Sequence, residues 1–527
     1  MGRKTKLVGS YRPLPDGATL VSEADETERI SVTIHLKRPR ASTQERTEAS
    51  KFADRSVPHD DRSILAKRIA EYTRATTALR EFAHRHRLLL RLREGDCADL
   101  EGSVGQMSEL FETTLHTYHD GHLQFRAHSG FVSVPDEIAP WTLAVMGLDQ
   151  RPVAKHQLSD PNDKDNKTGL WPTEVAKIYD IPREMDAKGE CVGVLAAGGG
   201  YRPEDVRVAS ARMDRPDVQI IPYPVRDLYG RPYPGNTFSG WGGADIEVSL
   251  DLQVLAGIIP GARIVVYFTA NTAQGFMDAI NQVLADGVNN PSVLSISWGG
   301  PEVRNFSPAD CIAINECLAQ SDRVLTVVAA AGDDLATAGL GDHQAHVLFP
   351  ASSPHVIACG GTQLHSAANG TTAETVWKEG LKGTDGGISD VFDVPDYQRS
   401  LDLPPSYNNN RIGRGVPDVA AVAAQDPGYR IILNGREFST YGTSAAAPFW
   451  AALIAMANAK RGRPGRKPLG AIHNYLYQTL GVCSGITEGN NQRDGIGYYA
   501  HKGWNACTGL GVPNGARTIT GLASKPV

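Results

Sequence analysis

Cys191-Val192-Gly193-Val194-Leu195-Ala196 is a six-residue run without a charged side chain, closed two residues later by Gly198-Gly199-Gly200. A half-exposed strand alternates polar and apolar residues, whereas this run is continuous. Continuity, shortness and a glycine boundary together describe a strand buried on both faces, the kind found in parallel sheets covered by helices. The same grammar recurs at Val218-Gln219-Ile220-Ile221, Arg263-Ile264-Val265-Val266-Tyr267-Phe268, Val293-Leu294-Ser295-Ile296-Ser297 and Val324-Leu325-Thr326-Val327-Val328-Ala329. Helical periodicity intervenes near 245–255, 275–285 and 309–320. Strands alternating with helices predict an α/β fold built on an open parallel sheet. The three glycines lack the G-x-G-x-x-G spacing of a dinucleotide fold and read as a turn.

Downstream of the sheet, Gly442-Thr443-Ser444-Ala445-Ala446-Ala447-Pro448 runs into Phe449-Trp450-Ala451-Ala452-Leu453-Ile454-Ala455-Met456-Ala457, a helix apolar enough to be buried all round. Pro448 is read as tolerable near the helix start, where N–H groups lack intrahelical acceptors. Ser444 then stands at the positive end of a helix dipole, an address suited to a serine nucleophile and equally to an ordinary capping serine.

The chain has 527 residues, more than one hydrophobic core normally supports, so two domains are expected. A net charge of −6 argues against a nucleic-acid partner. No apolar run reaches the roughly 18 residues of a membrane span. The basic N-terminus, Met1-Gly2-Arg3-Lys4-Thr5-Lys6, has no apolar core of a Sec signal behind it. Seven cysteines, Cys97, Cys191, Cys311, Cys317, Cys359, Cys483 and Cys507, are odd in number and match no zinc spacing; they read as buried free thiols.

Residues 1–28 are polar and are expected to be disordered. Residues 29–150 carry an alternating strand at Ile30–Leu36, a helical pattern through Ile64, Leu65, Ile69, Tyr72, Leu79 and Phe82, and a short amphipathic helix at Val104, Met107, Leu110 and Phe111. Strand-like runs at Leu88–Leu90 and His122–Phe125 complete a small α+β domain. Its histidines, His84, His86, His116, His119, His122 and His128, fit no metal spacing. Residues 151–167 are charged and Pro-punctuated, a linker open to proteolysis, and 168–527 form the α/β domain.

Ser444 requires a base. The histidines after the linker are His343, His346, His355, His365, His473 and His501, and none opens a helix in the manner a serine–histidine site would need. Carboxyls are available instead. Glu247 and Asp251 are i,i+4 on a predicted helix and share a face, near an apolar stripe of Ile246, Leu250 and Val254. Such a pair titrates as a unit with one pKa raised, which equips one carboxylate to take a proton. The competing reading is a solvated acidic face. Asp333, just after the buried strand 324–329, sits where strand ends face a ligand crevice; a protonated carboxyl there could donate to an oxyanion, and the competing reading is a turn aspartate.

Taken together, Gly198-Gly199-Gly200-Tyr201, Glu247-x-x-x-Asp251, Leu294-Ser295-Ile296-Ser297-Trp298-Gly299-Gly300-Pro301, Ala331-Gly332-Asp333, Phe349-Pro350-Ala351-Ser352, Ala358-Cys359-Gly360-Gly361-Thr362, Arg414-Gly415-Val416-Pro417-Asp418-Val419, Gly442-Thr443-Ser444 and Cys507-Thr508-Gly509-Leu510-Gly511 resemble the serine-carboxyl peptidases, the sedolisin family, and most closely its kumamolisin branch. The resemblance implies a subtilisin-like sheet flanked by helices behind a ferredoxin-like N-terminal pro-domain. It implies Ser444 as nucleophile, Glu247 as general base, Asp251 as its partner and Asp333 as oxyanion donor, with Ser297, Trp298 and Gly299 as the edge that binds substrate as an added strand. The expected activity is an acid-acting serine endopeptidase on protein or peptide substrates, made as a zymogen. Its own pro-domain is the inhibitor, removed by self-cleavage in the linker, and no nucleic acid or membrane is a partner. The alternatives are a tripeptidyl-peptidase of the same family and a non-catalytic peptide-binding relative. The family implies an extracellular location; the missing Sec signal leaves a cytoplasmic one as the alternative.

Three positions depart from the resemblance. Ala196 stands where kumamolisins carry a Glu behind the base, and Leu348 where they carry an acid in the substrate cleft. The family's calcium position would draw on the carbonyls of Ile486, His501 and Gly503 with the Asn505 side chain, but both of its Asp ligands are replaced, by Gly485 and Asn505. Calcium is therefore expected to bind weakly or not at all, with Lys502 the charge nearest at hand to stand in for the ion.

Overall fold

The computed structural model describes residues 3–14, 17–37, 60–93, 96–121, 123–156, 169–227, 229–240, 242–366, 372–462 and 467–526, with backbone alone at 60–69, 366 and 372. The chain forms two compact units, residues 1–151 with 307–313, and 152–306 with 314–527.

In the first unit the order is β1 (Arg29–Leu36), α1 (Asp60–Arg85), β2 (Leu89–Leu92), β3 (Cys97–Ser103), α2 (Val104–Phe111) and β4 (Thr142–Met146). The sheet runs β2-β3-β1-β4, antiparallel throughout. A β-α-β-β-α-β chain in that order is the ferredoxin-like arrangement. Val32, Ile34, Leu79, Phe82, Met107 and Phe111 meet in its core. Ser103 starts α2 by a reciprocal capping box with Gln106, each side chain taking the other's main-chain N–H. Of the apolar positions that predict α1, Ile64, Leu65 and Ile69 lie where only backbone is described. His122 lies outside the described residues, and the strand expected there is Gln124–Ala127.

The disorder expected over residues 1–28 is corrected by two short strands. Lys4–Lys6 pairs with Ser133–Pro135, and Thr19–Glu23 with His116–His119. Every residue of Thr19–Glu23 is exposed, so no apolar period marks it; main-chain pairing at a sheet edge holds it.

The second unit opens on β5 (Lys155–His156) and continues with β6 (Cys191–Ala196), β7 (Gln219–Pro224), α3 (Gly243–Ile258), β8 (Arg263–Phe268), α4 (Ala273–Ala285), β9 (Val293–Ile296), β10 (Trp298–Pro301), β11 (Thr326–Ala330), β12 (Leu348–Phe349), β13 (Val356–Ser366), β14 (Thr372–Val376), β15 (Lys382–Gly383), β16 (Val419–Val422) and α5 (Thr443–Lys460). The main sheet has eight strands in the order β7-β8-β6-β9-β11-β13-β14, with β16 also paired to β13; all pairings are parallel except β13–β14. The buried strands carry the β-branched runs that predict them, and α3 and α5 fill the core against them. All of α3 from Asp245 onward is buried, beyond the buried edge that its apolar stripe suggests.

Residues 152–156, expected as open linker, are held as an extended segment. Val153 donates to the Asn271 carbonyl, the Asn271 side chain brackets both main-chain groups of Ala154, and Asn305 donates to the Val153 carbonyl. Residues 157–167 of that linker lie outside the described residues. None of the seven cysteines is in a disulfide; six are buried and Cys483 is half-buried.

Candidate active site

Helix α3 carries Glu247 and Asp251, and its start is locally specified. The Asp245 carboxylate accepts from the Ser239 N–H and hydroxyl and from the Gly240 N–H, at 2.8, 2.7 and 2.8 Å. That places an anion in the first turn, where the dipole favours it. Further along, Gln253 exchanges two 2.7 Å hydrogen bonds with the main chain of Ile432 and fixes the rotation of the helix. Glu247 and Asp251 are both buried, so the solvated-face alternative does not hold.

Ser297 is the junction of the site. Its hydroxyl lies 2.7 Å from Asp251 Oδ1 and 3.2 Å from the Ser444 carbonyl oxygen, and the Ser444 hydroxyl lies 3.5 Å from the Ser297 carbonyl. Pro448 explains why that Ser444 carbonyl is open. Proline has no N–H, so the helical bond from position 448 to the carbonyl of 444 is missing. The proline is the sixth residue of α5, past the first turn where the sequence reading puts it, and Gly442, with φ 130°, is the N-cap. Ser444 is therefore the second helical residue and not a cap.

Asp333 takes over the capping. Its Oδ1 accepts from the Thr443 N–H and from the Thr443 hydroxyl, both at 2.7 Å, while the same hydroxyl accepts from the Gly332 N–H at 3.0 Å. With Oδ1 saturated, the proton of a neutral Asp333 belongs on Oδ2, which is buried and has no partner among the described residues. Burial raises the Asp333 pKa to about 7, against the lowering effect of the two Thr443 donors. Burial likewise raises Asp251 well above the carboxylate range, with the Ser297 hydroxyl opposing.

The histidines are engaged elsewhere. His346 faces Asp342, His355 faces Asp322, His365 faces Thr375, His473 faces the Val356 carbonyl, His501 faces the Lys502 carbonyl, and His343 is exposed. With those histidines engaged or exposed, the buried carboxyls of α3 are the candidates to take a serine proton, and Ser297 links Asp251 to Ser444. The site can also offer an oxyanion two donors, a protonated carboxyl and the Ser444 N–H, which as a first-turn group has no intrahelical acceptor.

The predicted substrate edge is occupied by this chain itself. Lys155 pairs with Gly299 and His156 with Trp298, antiparallel, while Gly300 and Pro301 pair with Phe349 and Leu348 on the other side. Leu348 is buried there, against Gly299 and Gly332. Ala196 is buried at the end of β6 and paired to Phe268.

The residues at the family's calcium position do not fit a calcium ion. Asn505 Oδ1 accepts from the N–H groups of Cys507 and Thr508 at 3.1 and 3.0 Å, which commits the other end of the amide. Nδ2 accordingly donates to the carbonyls of Ile486 and His501, at 3.1 and 3.3 Å. A cation between these carbonyls would meet an N–H where it needs an oxygen. Asn505 is not an oxygen donor to an ion there, and Lys502 and Gly503 are exposed.

A subtilisin-type parallel sheet bearing a serine at a helix start, with carboxyls in the place of an imidazole, defines a serine-carboxyl peptidase. The comparisons agree. The Subtilase family matches residues 238–472, and the Pro-kumamolisin activation domain matches 16–151. Kumamolisin of Bacillus sp. (strain MN-32) is 37% identical over 517 residues, 94% of this chain and 92% of that protein. Tripeptidyl-peptidase sed5 of Aspergillus fumigatus is 26% identical over 580 residues, 98% and 97% of the two chains. The structure of Pseudomonas sedolisin, a serine-carboxyl proteinase complexed with two molecules of pseudo-iodotyrostatin, superposes with a TM-score of 0.56 at 25% identity, over 68% of this chain and 99% of that one. The chain belongs to the sedolisin family and is kumamolisin-like, a serine peptidase with an N-terminal activation domain. No helix among the described residues is long and apolar enough to cross a membrane.

The sequence reading missed Thr443 as the holder of Asp333 and Ser297 as the partner of Asp251. The first had a weak signal, a second hydroxyl beside the nucleophile; the second had none.

Proposed function

We propose that this protein is an acid-acting serine endopeptidase made as a self-processing zymogen. Residues 29–150 are the inhibitory domain, cleavage falls in the linker of 151–167, and 168–527 is the enzyme. Glu247, oriented by Asp251, takes the Ser444 proton as Oγ attacks the scissile carbonyl. Asp333 and the Ser444 N–H stabilise the oxyanion, and Glu247, now protonated, gives that proton to the leaving amine, leaving an acyl-enzyme that water then hydrolyses. Acid suits this chemistry. At pH 4 an imidazole is protonated and useless as a base, whereas a carboxylate is still partly ionised, and an Asp333 with a pKa of about 7 is a donor. The substrates are proteins or peptides laid as a strand on Ser297–Gly299, and the setting is extracellular, as the family resemblance implies.

The observation that carries this reading is the antiparallel pairing of Lys155–His156 with Trp298–Gly299, next to a Ser297 whose groups meet both Asp251 and Ser444. The chain presents a segment of its own linker to the substrate edge. That segment is internal and not a chain terminus, which favours endopeptidase action over tripeptide release. The experiment is to hold the purified full-length chain at pH 3–5, following its mass and the digestion of an amino-terminally blocked peptide. Wild type should cleave itself near residues 155–170 and cut the blocked peptide, and Ser444→Ala and Glu247→Ala should do neither. Release of tripeptides only from free amino termini would favour the tripeptidyl-peptidase reading. An intact, inert wild type across that range would favour a peptide-binding relative.

A further inference from the structure

A cluster of charge lies directly behind Asp333 and takes no part in the chemistry above. Strand β15 and the two residues after it wrap the main chain of 332–335: Gly383 donates to the Asp333 carbonyl at 3.0 Å, Leu335 to the Gly383 carbonyl at 3.1 Å, and Asp385 to the Gly332 carbonyl at 2.9 Å. The Asp385 carboxyl then accepts from the Asp334 N–H at 2.6 Å. It packs so closely on Gly332 that a Cβ at that position would collide with it, and Gly332 also has a φ of 118°. The peptide joining Asp333 to Asp334 is thus held from one side by Asp385, while Thr443 holds the Asp333 carboxyl from the other. Asp334 carries an ion pair at 2.6 Å to Lys382, with the two side chains 23% and 41% exposed. The titratable groups facing Asp333 are Asp334, Asp385 and Lys382, and Tyr441 is the further one beside Lys382.

We propose that Asp334 and Lys382 are positioning residues that set the proton affinity of Asp333, and so the upper pH limit of catalysis, with Asp385 as the neutral wall that keeps them in register. This rests on Asp333 being the oxyanion donor. The argument is one of sign. Asp334 is adjacent in the chain and ion-paired with Lys382 at 2.6 Å, and it acts on Asp333 as a like charge. Asp385, buried and facing two other carboxyls, is held in its acid form. An anion at Asp334 opposes ionisation of Asp333 and keeps it able to donate; the cation at Lys382 does the reverse. The pair therefore sets Asp333 between two limits, and removing either member moves it in a known direction.

The test is the pH profile of kcat/KM on a peptide substrate for wild type, Asp334→Asn and Lys382→Met, whose alkaline limb reports the free enzyme's essential acid. Asp334→Asn removes the anion and leaves an unpaired cation, so the limb should fall by on the order of one pH unit. Lys382→Met leaves the anion alone, so the limb should rise by a smaller amount, and the double variant should fall between. A purely structural role would change thermal stability without moving the limb. Limbs that stay in place, or that move in the same direction in both single variants, overturn the proposal. Should Asp334→Asn fail to fold, the direction of the half-exposed Lys382→Met limb decides by itself, upward for the proposal and unchanged or downward against it. Asp333→Ala separates the underlying reading: if it keeps wild-type kcat/KM at pH 4, Asp333 is not the oxyanion donor, whatever the other variants do.

Discussion

Ser297 has one hydroxyl proton and two oxygens within reach of it. The Asp251 carboxyl at 2.7 Å is the nearer and the more strongly accepting, so the proton belongs there, and the Ser444 carbonyl at 3.2 Å is the weaker second acceptor. That bond is the one opposing the burial of Asp251. Ser297→Ala would strip it, leaving a buried Asp251 oxygen without its donor and the carboxyl less firmly placed. Leaving a buried acceptor unsatisfied costs about 1–3 kcal/mol, which converts to a loss of roughly 5- to 100-fold in rate. The expected result is that loss in kcat at pH 4 with KM changed far less, since substrate pairs with the main chain of the following residues. A variant within twofold of wild type would show that the Asp251–Ser297 contact is idle in catalysis. Ser297 was legible only as part of the substrate edge, because its partner Asp251 lies 46 positions away.

At the scale of elements, what the sequence shows is whatever repeats locally. The buried strands Cys191–Ala196 and Arg263–Phe268 are found to the residue because a continuous β-branched run has no other good home. Helix α5 is found because it is apolar all round, and α3 because an apolar stripe of Ile246, Leu250 and Val254 runs beside acids at i,i+4. Thr19–Glu23 escapes because an exposed edge strand has no period, and the Thr443–Asp333 contact because it joins residues 110 positions apart. The loop around Asn505 shows the same limit: its composition reads as a depleted ion site, and only the hydrogen bonds show that an amide closes it. Its N–H groups bind the carbonyls of Ile486 and His501 without a metal. Chelator should therefore leave the wild-type Tm unchanged. Asn505→Asp turns a donor into an acceptor facing two carbonyls, a cost of about 1–3 kcal/mol, and calcium should restore part of the lost Tm in that variant alone. A wild-type Tm lowered by several degrees in chelator would refute the assignment.

Over the whole molecule, burial pushes the titrating groups toward an acid-stable protein. Asp251, Glu302, Asp333, Glu374 and Asp385 are all raised by desolvation, Glu302 and Asp333 to about 7. A raised carboxyl binds its proton more tightly folded than unfolded, so its contribution is complete below about pH 4 and is lost as pH climbs to its folded value. His128, lowered to about 4, and His473 act in the other sense: the folded state keeps them neutral, and they gain stability as pH rises toward 6.5. Asp149, Asp286 and Asp342 are lowered and matter only near and below pH 4. Between pH 4.5 and 6.5 the four strongly raised carboxyls, Asp251, Glu302, Asp333 and Asp385, outweigh the two imidazoles. Stability should therefore fall with rising pH by at least about 1.4 kcal/mol per unit, the value of one net proton. Urea unfolding of full-length Ser444→Ala, which the proposed mechanism keeps from processing itself, followed by tryptophan fluorescence at pH 4.5, 5.5 and 6.5, measures it. The midpoint should drop at each step, and it should drop less in Asp333→Asn, which removes one raised carboxyl without adding a charge. A midpoint that rises across the range would mean that these carboxyls are hydrated in solution and the site is not sealed from water, and the basis for keeping Asp333 protonated would go with it.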